Sequence, residues 1–308
     1  MSSTKYYSPR SVCCFFYTVL TFVAKHHNII GMKKINQIFI ITIALFMITG
    51  CDKNPKINND DKKIPELINA RQSMTYSDRL VAFAWDFIDT PYQLDPLGEG
   101  TGFDPDPLYR FDKFDCVTYI ETVIALAGTD NFADFITQKK EVSYLNNQID
   151  YIHRRHFFEL DHTDALNDIT NNMGIRTKNI TGIIDKQKWL STKVTSIHSD
   201  FIPHKLTLEY IDKHDVLKMN LLYLPQISVV GIVMDNPKLR ETSGSDVMIS
   251  HVGFLVKIDD NVDIIHASSG AGHIIRQDFF EYINDTVKPS KTRVGIKIWD
   301  IKTPKDKQ

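Results

Sequence analysis

The stretch SHVGFLVKIDDNVDIIHASS, residues 250–269, determines how the C-terminal third of this chain folds. Apolar residues alternate on both sides of its acidic centre, which predicts two antiparallel strands joined by a turn. If the turn takes the four residues 257–260, His251 pairs directly with His266 and the two imidazoles share one face. A tight two-residue turn would offset the two histidines.

The remaining segments predict an α+β protein, because helical patterns come first and strand patterns follow. Residues 151–160 look extended, and residues 161–222 are treated as an insertion of uncertain structure. The segments with a clear period are helices at 77–88, 116–128 and 132–145, strands at 227–235, 249–258, 262–269 and 293–301, and a short helix at 277–284.

Cys116 lies where a charged loop gives way to an apolar helix, in FDKFDCVTYIETVIALAG. Asp115 suits the N-cap position, and Gly128 suits the C-terminal end. Free N–H groups and the dipole at a helix start lower the pKa of a thiol. The sequence therefore predicts a reactive nucleophile, and an inert core thiol is the alternative.

The chain begins with a segment that does not belong to the fold. MKKINQIFIITIALFMITGC, from Met32 to Cys51, has two lysines, an apolar run and an ending that resembles a bacterial lipobox. We expect residues 1–50 to be a leader with its start at Met32, and Cys51 to carry lipid. Residues 51–75 are predicted to be a flexible tether, and 76–308 a single domain. A transmembrane anchor is the alternative to lipidation.

Removal of the leader leaves one thiol, because Cys13 and Cys14 are lost with it and Cys51 carries the lipid. Cys116 then has no disulfide partner in an oxidising compartment. The net charge of −2 and the lack of a long basic stretch argue against nucleic acid as a partner. The cysteine and histidine spacings match no metal-ligand motif, so no metal or other cofactor is expected.

A thiol nucleophile needs an imidazole that accepts its proton and later protonates the leaving group. His251 and His266 are suited to this chemistry as base and as orienting partner, which together with Cys116 gives a Cys–His–His arrangement. A histidine on a half-buried strand is more often a core group, and the coincidence of two histidines with one unpaired cysteine favours catalysis.

Several of these segments together resemble the N-acetylmuramoyl-L-alanine amidase-like branch of the NlpC-type cell-wall hydrolases. The resemblance implies a papain-like fold, in which N-terminal helices carrying the cysteine pack on a C-terminal antiparallel sheet carrying the histidines. One departure is the pair Asp161-His162, where the family usually has Asp-Trp. The segments that carry the resemblance are LGEG, DPLYRFDKFDCVTYIET, RRHF, ISHVGF and HASS.

The resemblance implies hydrolysis of the amide between N-acetylmuramic acid and L-Ala in peptidoglycan fragments, by the triad already named. It assigns substrate contacts to Tyr92, to Asp115, and to Arg154 and His156 of RRHF; cations beside a cleft suit a substrate rich in carboxylates. An endopeptidase that cuts after γ-D-Glu is a rival, since some relatives hold a free amine with an acidic residue beside the nucleophile. A muropeptide-binding lipoprotein without turnover is a second rival to the amidase reaction.

We expect a monomer, anchored to the inner or outer membrane and facing the periplasm.

Overall fold

The structure, a computed structural model, describes residues 63–194 and 196–303. Its helical half precedes most of its sheet. The helices are α1 (Lys63–Ala70), α2 (Tyr76–Asp86), α3 (Cys116–Ala127), α4 (Phe132–Ser143), α5 (Phe158–Asp161), α6 (Lys186–Lys193), α7 (Pro237–Ser243) and α8 (Phe279–Tyr282). Among the described residues, no helix has the length and apolar character needed to cross a membrane.

Eight strands form one antiparallel sheet with the order β2-β3-β8-β4-β5-β6-β7, and β1 pairs with β8 beside this path. The pattern of helices followed by an antiparallel sheet confirms the predicted α+β class. The strands are β1 (Leu166–Asp168), β2 (Lys178–Ile184), β3 (His204–Asp212), β4 (Ile227–Met234), β5 (Ile249–Ile258), β6 (Asn261–Ser268), β7 (His273–Asp278) and β8 (Arg293–Ile301).

The central strands are apolar on both faces, because each face is covered by a separate hydrophobic cluster. Phe254 and Ile265 belong to the cluster that includes the helices α2, α3 and α4. Leu255 and Ile264, the adjacent residues on the same strands, belong to a second cluster that includes α8. The alternation along β5 and β6 therefore places neighbouring side chains in different cores.

The compact region begins earlier than the sequence indicated. The predicted tether, 51–75, includes α1, whose Ile64 and Ile68 are fully buried in the core. The i, i+4 spacing of these two residues gives a short amphipathic helix that a count of polar residues overlooks. The leader, Met32 and Cys51 lie outside the described residues.

Two further segments differ from their predictions. Residues 151–160 form turns and the start of α5 instead of a strand. The segment predicted as an insertion, 161–222, contains β1, β2, α6 and β3, and β3 joins β8 through the pairs Ile211–Ile296 and Asp212–Gly295. The exposed positions of β2 and β3 are polar, and they obscure the apolar alternation of these strands in the sequence.

A buried polar network holds the middle of α3. Glu121 accepts hydrogen bonds from Lys139 Nζ at 2.9 Å, from Ser143 Oγ at 2.6 Å and from His162 Nε2 at 3.0 Å. The Lys139 side chain is fully buried, and the three donors, with Lys139 first, hold the pKa of Glu121 low, at about 2. His162, the residue that stands where the family usually has tryptophan, therefore fixes the helix by a hydrogen bond.

Lys139→Met tests how strongly this network fixes the helix that carries Cys116. Removal of one partner leaves a buried carboxylate without its cation, so we expect the free energy of unfolding to fall by about 3 kcal/mol. Urea unfolding followed by circular dichroism measures the change. The control Lys140→Met changes the partly exposed neighbour and should stay within roughly 0.5 kcal/mol of the parent. A loss of the same small size in both variants would contradict the role of the network.

Candidate active site

Cys116 is the first residue of α3, and the cap of this helix fixes its backbone. Asp115 Oδ1 accepts hydrogen bonds from the Thr118 N–H and the Thr118 hydroxyl, both at 2.8 Å, and the Asp115 N–H donates to the same hydroxyl at 3.0 Å. This reciprocal pattern is a capping box. It confirms the predicted N-cap and the predicted helix start.

The second oxygen of Asp115 is also occupied, since Oδ2 accepts the Asp95 N–H at 3.1 Å. Both carboxylate oxygens thus bond groups of the protein itself, and burial raises the pKa of Asp115. The expectation that Asp115 also binds substrate stays a prediction. Asp115 shapes the helix start and ties the loop before it to that start.

The Cys116 thiol lies against β5. The backbone N–H groups of Val252, of Cys116 itself and of Val117 lie near enough to the thiol to lower its pKa. The β5–β6 ladder ends at the pair Phe254–Ile265, so Val252 lies beyond its last rung. The thiol thus lies near the point where these two strands separate, beside the residue that follows His251 in the chain.

Burial raises the pKa of the Cys116 thiol to about 12, and the neighbouring Asp115 carboxylate adds to the rise. The three backbone N–H groups oppose this effect but do not overcome it. The predicted lowering of the pKa by the helix start is therefore wrong for the resting protein. Desolvation destabilises the thiolate more than the few nearby N–H groups stabilise it.

His251 and His266 contact each other directly. His251 Nε2 lies 2.8 Å from His266 Nδ1, and the ring centroids are 4.8 Å apart at an interplanar angle of 81°. The structure therefore brings the two predicted histidines together on one face of the sheet.

The register that joins them differs from the predicted one. Ile258 pairs with Asn261, so the turn has two residues, Asp259 and Asp260, instead of four. This register sets Gly253, and not His251, opposite His266. The histidines are diagonal neighbours, and Gly253 gives them room, because a Cβ there would lie 3.0 Å from the His266 Cβ.

Both imidazoles are neutral over the physiological range. Burial lowers the pKa of His251 to about 3, with His266 and Arg293 adding to the effect. Burial also lowers the pKa of His266 to about 4. A neutral His251 is a proton acceptor, which is the state that a general base requires.

Tyr92 lies near the thiol, and its predicted substrate contact stays a prediction. Its segment is held on two sides: the Tyr92 N–H donates to Gly272 O at 2.8 Å, and the Phe114 N–H donates to Pro91 O at 3.0 Å. Burial raises the pKa of Tyr92, and the charges of Cys116 and Asp115 add to the rise. The phenol therefore forms part of the surroundings of Cys116.

Arg154 does not offer a free cation to a ligand. Its guanidinium lies 2.6 Å from Glu99 Oε1, 2.7 Å from Asp104 Oδ2 and 3.1 Å from Asp95 Oδ1. The three carboxylates satisfy the guanidinium and leave no fork for a substrate carboxylate. In this structure Arg154 fixes the loop that carries LGEG, and its expected substrate contact stays a prediction.

His156 is also a structural residue. Its Nε2 donates to Tyr151 O at 2.7 Å, and its ring packs on Trp189 at 4.6 Å between centroids. Burial lowers its pKa to about 3, so the ring is neutral at physiological pH. Its expected substrate contact stays a prediction.

Sequence reasoning missed Asp95, which joins the two structures just described. Its N–H bonds Asp115 Oδ2 and its carboxylate pairs with Arg154. The motif LGEG begins two residues further on, and it was the feature of the sequence that could have indicated Asp95.

Within residues 63–194 and 196–303, no group of three or more His, Cys, Asp or Glu side chains is arranged to hold a metal ion.

The comparisons with known proteins agree with this geometry. A family model described as N-acetylmuramoyl-L-alanine amidase-like matches residues 82–289, more than half of the chain. The chain belongs to this family. No curated protein sequence matches the chain.

Solved structures extend the likeness to the fold. The protein LPG0564 from Legionella pneumophila str. Philadelphia 1 is 26% identical, with a TM-score of 0.70 over 78% of this chain and 93% of its own. An N-acetylmuramoyl-L-alanine amidase from Bacteroides uniformis ATCC 8492 is 18% identical, with a TM-score of 0.55 over 74% of this chain and 99% of its own. The second likeness shows a shared fold and carries no argument about activity.

The state of the Cys116 thiol can be measured by alkylation. Because burial raises its pKa, we expect iodoacetamide to react more slowly at pH 7 than with a free cysteine, and the rate to keep rising past pH 9. The difference between the parent and Cys116→Ser isolates this thiol from the other cysteines. A rate that levels off below pH 8 would instead indicate a preformed thiolate–imidazolium pair.

Proposed function

We propose that this member of the N-acetylmuramoyl-L-alanine amidase-like family is a cysteine-dependent hydrolase of the cell envelope. It cleaves the amide between N-acetylmuramic acid and L-Ala in peptidoglycan fragments. Cys116 is the nucleophile, His251 is the general base and acid, and His266 orients His251. The fold follows the NlpC-type, papain-like arrangement, with the cysteine on a helix and the histidines on the sheet.

One observation carries this proposal: His251 bonds His266 at 2.8 Å on the strand whose Val252 N–H, next to His251 in the chain, lies near enough to the Cys116 thiol to lower its pKa. Three residues distant in sequence thus supply a nucleophile, a base and a group that orients the base. Tyr92 adds a phenol beside the thiol. Family membership supplies the class of bond.

The pKa directions support a mechanism in which the thiol is activated only when substrate arrives. Sγ of Cys116 attacks the lactyl carbonyl carbon while His251 takes the thiol proton. Nε2 of His251 is engaged with His266, so Nδ1 is the nitrogen that accepts this proton. The N–H groups of Cys116 and Val117 lie at the start of α3, where they can donate to the oxyanion.

Collapse of the tetrahedral intermediate breaks the C–N bond, and His251 returns its proton to the departing L-Ala amine. A thioester between Cys116 and the muramoyl group remains. Water attacks this thioester as His251 removes one of its protons, and the muramoyl carboxylic acid leaves as Sγ regains a proton. Each turnover consumes one water and needs no cofactor.

The rival endopeptidase reaction requires recognition of a free L-Ala amine by an acidic residue beside the nucleophile. Asp115 is that neighbour, and its two carboxylate oxygens already accept bonds from Thr118 and Asp95. An incoming ammonium would have to share these oxygens with the cap of the catalytic helix. The amidase reaction makes no such demand and is therefore favoured.

Mass spectrometry of digested muropeptides tests the bond that is cut. We expect free tri- and tetrapeptides that begin with L-Ala. The fragments that release them contain muramic acid, anhydro-muramic acid or both. Cys116→Ala should abolish product formation while leaving muropeptide binding nearly intact. A product that retains muramyl-L-Ala-D-Glu would establish the endopeptidase reaction, and a parent that binds but never cleaves would establish a binding protein.

We also propose that the protein acts as a periplasmic lipoprotein, anchored by Cys51 to the inner or outer membrane. The proposal rests on the sequence from Met32 to Cys51, which precedes the described residues. Such an anchor would keep a monomeric hydrolase beside its envelope substrate.

Cys51→Ser should remove the anchor, because lipidation requires the thiol. Radiolabelled palmitate and membrane fractionation measure the result: the parent should carry label and sediment with membranes, and the variant should lose the label. Cys14→Ser is the matched control and should behave as the parent. Label that persists in Cys51→Ser would refute the assignment.

A further inference from the structure

The LGEG loop, residues 93–107, is attached to the start of the catalytic helix on both sides of Leu94. The N–H of the residue before Leu94 donates to Phe114 O at 3.0 Å, and the N–H of the residue after it donates to Asp115 Oδ2 at 3.1 Å. Leu94 is nevertheless 74% exposed. An apolar side chain therefore faces solvent directly beside the residues that precede Cys116.

Phe103 is the second large apolar residue that this loop exposes, at 58%. The loop folds back on itself here, because the Glu99 N–H donates to Asp104 O at 3.0 Å. Gly98 packs so closely on this turn that a Cβ there would lie 2.5 Å from Asp104 Oδ1. The backbone that carries Phe103 is thus fixed before any ligand arrives.

Arg154 holds both exposed residues through their neighbours. Leu94 directly precedes Asp95 and Phe103 directly precedes Asp104, and the Arg154 guanidinium lies 3.1 Å and 2.7 Å from these two carboxylates. One largely buried cation therefore orders the backbone at both positions. Apolar side chains held in place beside a nucleophile are preorganised for contact with a ligand.

The charge of this region determines which half of a muropeptide it can accept. Residues 93–115 contain six Asp and Glu and two Lys and Arg, and Arg154 adds one further positive charge. The excess of negative charge disfavours a group that carries carboxylates, as the stem peptide does. The muramoyl group is uncharged because its lactyl carboxyl is part of the amide, and its C–H faces and methyl groups are apolar.

We infer that Leu94 and Phe103 are specificity-determining residues that contact the uncharged muramoyl sugar; the inference rests on the proposed function of this site. The LGEG loop then lines the glycan side of Cys116, and the stem peptide lies away from the six carboxylates. Arg154 is the positioning residue that keeps both contacts in place.

Calorimetric titration in the Cys116→Ala background measures binding without turnover. The two probes are a disaccharide–tripeptide muropeptide and the free tripeptide that begins with L-Ala. Phe103→Ala removes apolar contact area, so we expect the Kd of the muropeptide to rise about fivefold to tenfold, and Leu94→Ala to raise it about threefold. The free tripeptide should bind equally, or too weakly to measure, in all of these proteins.

Leu222→Ala and Tyr223→Ala are the matched controls. They remove side chains of similar exposure, 86% and 59%, from a segment that bonds Lys257, at the opposite end of β5 from His251. Neither control should change the Kd of the muropeptide. In the protein that retains Cys116, Phe103→Ala should raise KM and leave kcat unchanged, because the contact is the same in the ground state and the transition state.

An unchanged Kd of the muropeptide in Phe103→Ala, an equal loss for both probes or an equal loss in the controls would overturn the assignment. Failure of the Cys116→Ala protein to bind any muropeptide would overturn it as well. If the parent binds muropeptides but cleaves none, the proposed hydrolysis fails, and the calorimetry still decides whether the LGEG loop binds the glycan.

Discussion

The contact between the start of α3 and β5 is the constraint on which the site depends. The Val252 N–H lies near the Cys116 thiol and lowers its pKa, and Val252 lies beyond the last rung of the β5–β6 ladder. The start of α3 therefore lies beside the strand that carries His251, near the point where β5 and β6 separate.

A chain of ionic and hydrogen-bonded contacts keeps this helix start in place. Arg154 gathers Asp95, Glu99 and Asp104, and the backbone of Asp95 in turn bonds the capping carboxylate of Asp115. The guanidinium is largely buried and faces three carboxylates. Its positive charge stabilises each carboxylate, and the ion pairs reduce the conformational entropy of the loop. Residues that the family resemblance connects with substrate thus contribute by building the rim of the site.

The sequence was informative where a periodic pattern and a buried face coincide. The apolar alternation of β4, β5, β6 and β8 predicted these strands to within a few residues, since each contributes to both cores. Strands β2, β3 and β7 escaped prediction because their exposed positions are polar and their pairing depends on neighbours. The partners of Arg154 lie 50 to 59 residues away in the chain, and no local pattern encodes such a pairing. The contact between His251 and His266 was predicted because two histidines on neighbouring strands are rare in combination with one unpaired cysteine, although the register that joins them was not predicted.

The balance between the helix start and burial explains why a nucleophile can be kept in a neutral state. A helix start lowers the pKa of an exposed thiol, but here the same packing that positions Cys116 partly buries it and places it beside Asp115, and both effects raise its pKa. A thiol reacts with oxidants mainly as thiolate. Under the proposed function, a neutral resting thiol at Cys116 is therefore protected from oxidation between turnovers. The proton transfer to His251 then has to be driven by the approach of the carbonyl, so that oxyanion donors and an imidazole of the correct tautomer are needed at the same moment. Preorganisation of the backbone N–H groups at the helix start and of the His251–His266 pair meets this requirement, because neither has to be rebuilt when the substrate arrives.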